Sequence, residues 1–90
     1  MTGTDSLETR RKRLLWRATR RGIKEMDIIV GGYAEAHLAA MTAAEMDAFE
    51  QVLDIPDQEL LAYATNQQKI PETQATPMLL AVLAFRPVLS

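Results

Sequence analysis

Apolar side chains along this 90-residue chain recur at intervals of three and four, with no alternating strand pattern, and three helix-start signals punctuate them. Asp5-Ser6-Leu7-Glu8 fits a capping box, so Asp5 or Ser6 opens a first helix. Thr42-Ala43-Ala44-Glu45 is a second box, and Thr76-Pro77 sets a cap before proline at the first helical position. This pattern predicts an all-α fold, a small bundle of about five helices. Residues 1–90 form a single helical domain with a short N-terminal tail, 1–5.

In the first helix Leu7, Leu14 and Ala18 share a face, with Leu15 at its margin, while Arg10, Arg13, Arg17 and Arg21 step along an adjacent one. Gly22 is placed to cap its C-terminus, because glycine enters the left-handed region without a Cβ penalty. A second helix is expected from Lys24 to about Ala40, with Met26, Ile29, Val30, Tyr33, His37 and Ala40 on one face. Gly31-Gly32 within it costs about 1 kcal/mol per glycine relative to alanine, and marks either a close helix approach or a break. The third helix turns Met46, Phe49, Val52 and Leu53 inward, and Pro56-Asp57 restarts the chain for a short fourth carrying Leu60, Leu61 and Ala64. Asn66 to Thr76 reads as a loop containing Pro71; a last helix runs to Phe85, before Pro87.

Charge divides the chain at Gly22. Residues 10–24 hold eight of the ten Lys and Arg and no carboxylate. The N-terminal 24 residues thus have eight cations against two carboxylates (+6), and residues 25–90 have two against ten (−8). Such a split reads as an interaction surface, since net charge governs encounter more than fold. The basic run has no acidic neighbour for i,i+4 pairing, so its repulsion is a local cost from which the fold gains nothing. Clustered Arg and Lys suit nucleic-acid phosphates, but a pI near 5.3 and ten later carboxylates oppose a long polyanion, and no nucleic acid is expected.

Several chemistries are excluded. Without cysteine there are no disulfides, thiolate metal sites or cysteine nucleophiles, and one histidine, His37, leaves no multi-histidine site. The longest apolar run, Met78 to Phe85, falls far short of the roughly 20 residues that cross a bilayer, so no membrane insertion is expected. A reducing, cytoplasmic compartment is expected. His37 reads as a core or boundary residue on the apolar face.

The remaining candidates gather around the glycine. Trp16 lies away from the apolar face of its helix; it either packs on another element or serves as an exposed aromatic anchor flanked by arginine. Glu25 and Asp27 open the second helix, where carboxylates suit the positive end of its dipole. On an open turn with no pocket to shift a pKa they are poor catalysts. The residues by themselves describe a small helical binding module, not an enzyme.

Arg21-Gly22-x-x-Glu25-x-Asp27, preceded by Leu15-Trp16-Arg17 and Arg20, resembles the signature of the SdhE family of succinate dehydrogenase FAD assembly, or flavinylation, factors. The resemblance continues through Tyr33-Ala34-Glu35-Ala36-His37-Leu38, Glu45-Met46, Phe49-Glu50 and Pro56-Asp57-Gln58-Glu59-Leu60, covering about residues 10–66. Tyr63 stands where the family usually has tryptophan, and similarity fades over residues 67–90. The resemblance implies a helical assembly factor that binds the flavoprotein subunit of succinate dehydrogenase, and in some members fumarate reductase. It would promote attachment of FAD to a histidine of that subunit and hold no cofactor of its own. Arg21, Gly22 and Glu25 match the functional motif, Arg21 and Glu25 as charge-assisted hydrogen-bond partners of the subunit, and Asp27, Arg13, Trp16 and Arg20 match the flanking patch that would also touch it. Some members are labelled antitoxins, which leaves a nucleic-acid-binding or antitoxin-like regulatory module as the alternative.

Overall fold

A computed structural model describes residues 6–86. Five helices follow one another: α1 Leu7–Thr19, α2 Lys24–His37, α3 Ala43–Leu53, α4 Asp57–Ala64 and α5 Pro77–Ala84, with a 3₁₀ turn Leu38–Ala40 after α2 and no strand among the described residues. The expected start signals act as caps. Ser6 Oγ accepts the Thr9 N–H at 3.2 Å, whereas Asp5, the other candidate, lies outside the described residues, as does the expected stop at Pro87. Thr42 and Glu45 exchange both bonds of a capping box, at 3.1 and 2.8 Å. Thr76 Oγ1 accepts from Leu79 N at 3.1 Å, with Pro77 in the first turn.

Every helix contributes to one core, in which Met26, Val30, Met46, Phe49, Val52, Leu60, Leu79 and Val82 are fully buried. α1 packs on α2 and α3, while α5 packs on α2, α3 and α4. The C-terminal segment is therefore part of the domain core through Leu79, Val82 and Leu83. Three expected inward positions face water instead. Leu7 is exposed, because burial along α1 begins only at Leu14. His37 and Ala40 are also exposed: Leu38 continues the four-residue row of Met26, Val30 and Ala34, and in the 3₁₀ turn a period of 3.0 puts Met41, not Ala40, on the side of Leu38. The His37 ring rests against Tyr33 and Phe85, at centroid distances of 4.5 and 6.2 Å.

The paired glycines mark close approach, for α2 runs through them unbroken. A Cβ on Gly31 would sit 3.1 Å from Thr19 Cγ2 and 3.2 Å from the Ala18 carbonyl oxygen, so α1 lies directly on the glycine backbone. A Cβ on Gly32 would meet the Phe85 ring edge at 2.8 Å, which that side chain can relieve by rotating. Gly31→Val is therefore expected to lower stability by about 1–3 kcal/mol through overpacking against backbone, measured by urea denaturation. Gly32→Ala should be milder.

Candidate functional site

The arginines of α1 and of the two residues after it divide into two rows, apart from Arg11, which donates to the Met41 carbonyl oxygen at 2.9 Å. The inner row meets a line of carboxylates on α3 and α4. Arg10 bonds Asp47 at 2.6 Å and Glu50 at 3.0 Å; Arg17 lies 3.6 Å from Glu50 and 2.9 Å from Asp54; Arg21 reaches Asp57 at 2.6 Å. Its bonds to Asp47 and then Glu50 raise the Arg10 pKa above its ordinary value. The basic run is thus not a cost from which the fold gains nothing: its counter-charges come from another helix, where local i,i+4 spacing does not look. Most of these pairs are solvent-reached, so each contributes little alone and the row acts mainly to set the α1–α3 register.

The outer row holds Arg13, Trp16 and Arg20, all exposed. Trp16 is 60% exposed, and the Arg20 guanidinium carbon lies 5.3 Å from its ring centroid, a cation–π pair. Trp16 is thus exposed beside an arginine and not packed away on another element.

Between α1 and α2 the chain turns at Gly22, whose φ of +98° is left-handed backbone that side-chain-bearing residues avoid. It lies two residues past the Arg20 C-cap, slightly beyond the position expected of it. A Cβ there would have no heavy atom within 4 Å, so the glycine opens to solvent. Glu25, on the first turn of α2, is exposed and has no ion pair among the described residues. Ile28, one turn further, is 44% exposed, an apolar group that carries no motif signal in the sequence.

The other two motif residues turn inward. The Arg21 side chain is only 8% exposed; beyond Asp57 it donates to the Leu53 and Ile55 carbonyl oxygens, both at 2.7 Å. The Asp27 carboxylate accepts the Arg21 backbone N–H at 2.6 Å, which closes the turn from α1 into α2. Of the seven candidate residues, five lie at the surface and two hold the turn from beneath. Asp57, the partner of Arg21, was missed, although Asp47, Glu50, Asp54 and Asp57 step by three and four as the arginines do.

A cavity of about 300 Å³ among the described residues is lined by Arg10, Arg13, Leu14, Arg17 and Glu50. No cluster of His, Asp or Glu among the described residues could hold a metal ion, and no helix there is long and apolar enough to cross a membrane. The site is a surface.

A family model described as "Flavinator of succinate dehydrogenase" matches residues 12–86, past residue 66 and through α5. Among similar proteins, the FAD assembly factor SdhE of Acetobacter pasteurianus is 45% identical over 75 residues, 83% of this chain and 69% of that protein. The mitochondrial succinate dehydrogenase assembly factor 2 of Yarrowia lipolytica is 36% identical over 66 residues, 73% of this chain and 46% of its own length. That of Caenorhabditis briggsae is 34% identical over 70 residues, 76% of this chain and 57% of the relative. The chain thus spans about half the length of these mitochondrial relatives. On the strength of the match across both the glycine corner and the bundle that carries it, this chain belongs to the SdhE family of succinate dehydrogenase flavinators.

Proposed function

We propose that this chain is an assembly factor that docks on the flavoprotein subunit of succinate dehydrogenase and promotes covalent attachment of FAD to a histidine of that subunit. The observation that carries this reading is the Gly22 corner: a left-handed turn with open space above it, pinned from beneath and flanked by exposed Trp16 and Glu25. An open turn without a side chain lets a second backbone come close. Arg13 and Arg20 bring positive charge to the rim, Glu25 an acceptor, and Trp16 an aromatic anchor of the type that dominates interface energetics. Fumarate reductase, as a relative of that partner, falls within the same proposal, and the cytoplasm is the proposed place of action.

In the reaction served, the flavin 8α-methyl carbon loses a proton, a histidine nitrogen bonds to that carbon, and the ring is left two electrons reduced, to be reoxidised by an acceptor such as dioxygen. Such a step needs the histidine held at attack distance and the developing negative charge on the ring stabilised. Holding reactants in place supplies several kcal/mol, and preorganised electrostatics often supplies more. A docked helper provides the first by fixing the subunit's domains, without touching the flavin and without a cofactor of its own. The inner ion-pair row weighs against the nucleic-acid and antitoxin-like alternative, because Arg10, Arg17 and Arg21 are already matched by carboxylates.

Trp16→Ala is expected to weaken binding to the subunit by about 2 kcal/mol, roughly thirtyfold, with little change in thermal melting. Glu25→Ala should weaken it by about 1–3 kcal/mol if its bonds are buried on docking. Calorimetric titration of each variant against the flavoprotein subunit checks both. Unchanged affinity for the pair would move the contact surface elsewhere.

A further inference from the structure

Arg21 stands at the centre of the motif, yet its guanidinium is spent inside the molecule. Nε donates to Asp57 at 2.6 Å, and the two terminal nitrogens to the carbonyls of Leu53 and Ile55 at 2.7 Å. Leu53 ends α3, and Ile55 precedes Pro56, whose missing N–H stops the helix from continuing. These are carbonyls that a helix end leaves without backbone donors, and a cation there suits the negative end of the dipole. Asp57, the other acceptor, opens α4, where a carboxylate suits the positive end. The backbone N–H of the same residue is held by Asp27 of α2. One residue at the end of α1 therefore ties together the ends of the next three helices, and its neighbour is Gly22.

We infer that Arg21 is a positioning residue for docking: it makes no contact with the partner, and fixes the Gly22 turn and the first turn of α2 against the α3–α4 corner so that Gly22 and Glu25 are presented in one arrangement. This rests on the docking reading above. Lysine cannot replace it, because a single ammonium does not reach three acceptors that a planar fork reaches together.

Asp57→Ala separates this role from direct contact. Were the guanidinium a partner contact, removing its internal carboxylate would free it, and affinity would hold or rise. As a strut, Arg21→Lys and Asp57→Ala each weaken binding of the full chain to the flavoprotein subunit by about tenfold, the double variant is no weaker than the worse single one, and Asp57→Glu restores most of the affinity. Amide hydrogen exchange provides the second readout: in Asp57→Ala the Gly22, Ile23 and Lys24 amides speed up more than those of Leu83 and Ala84 in α5, which follow only the loss of global stability. Equal acceleration in α5 would make the bond a general stability element and overturn the inference. Affinity unchanged or raised in Asp57→Ala would overturn it while the docking reading stands. Failure of the parent chain to bind the subunit would overturn both.

Discussion

Gly22→Arg should leave the helical circular-dichroism spectrum near that of the parent chain and abolish covalent flavin on the partner subunit. Two effects of the substitution are separable. The backbone at φ +98° penalises any side chain, by about 1–2 kcal/mol. Against a total stability of roughly 5–15 kcal/mol, that leaves the bundle folded. The second effect is bulk: with no heavy atom within 4 Å of the added Cβ, the new side chain meets nothing in its own molecule and projects outward. It would hold two docking surfaces apart. Gly22→Ala carries the same backbone strain with one methyl group, so it should lower the melting temperature comparably and retain much of the docking. If alanine is as damaging to flavin attachment as arginine, backbone strain and not clearance is what the turn supplies. Global unfolding of Gly22→Arg would instead make Gly22 a purely structural cap.

Arg21→Ala is expected to be the most damaging to the fold of the substitutions considered. It leaves the Asp57 carboxylate, 21% exposed, without its cation, and removes the side-chain donors to the Leu53 and Ile55 carbonyls. Breaking a buried pair by deleting one partner typically costs 3–5 kcal/mol. Because water still reaches Asp57, a loss of about 3 kcal/mol is expected, read as a lower midpoint in urea with an unchanged slope. By contrast, deleting Arg10 or Arg17 removes pairs whose acidic members stand largely in water, and should cost no more than about 1 kcal/mol each.

The helices were legible because their signals are local. Ser6, Thr42 with Glu45, and Thr76 with Pro77 each fix a helix start within one turn of sequence, and the inward residues of α3 followed from spacing alone. The misplacements arose at helix ends and where the period changes. Leu7 and His37 are the first residue of α1 and the last of α2, outside the buried positions Leu14 and Ala34 of those helices, and Ala40 lies in the 3₁₀ turn. The glycine pair left two readings open because close approach is a property of the other helix: only the position of Thr19 and Ala18 decides it.

The site was legible as a set of residues but not as an arrangement. Spacing placed Arg10, Arg13, Arg17 and Arg21 along one face, yet Arg13 is exposed while Arg21 is almost wholly enclosed. What divides them is the acidic row of α3 and α4, a tertiary partner that no window of one helix contains. The inward turn of Arg21 and Asp27 also reassigns the meaning of the motif. Its exposed members are a glycine and a glutamate, and its arginine and aspartate are what keep them in place.

The most direct measurement is fluorescence of covalent flavin in a denaturing gel, with FAD-free flavoprotein subunit incubated with FAD alone, with the parent chain, or with Gly22→Arg. Docking through the glycine corner requires a bright subunit band with the parent chain and a faint one in the other two lanes. Equal fluorescence in all three lanes would show that the subunit acquires its flavin without this surface.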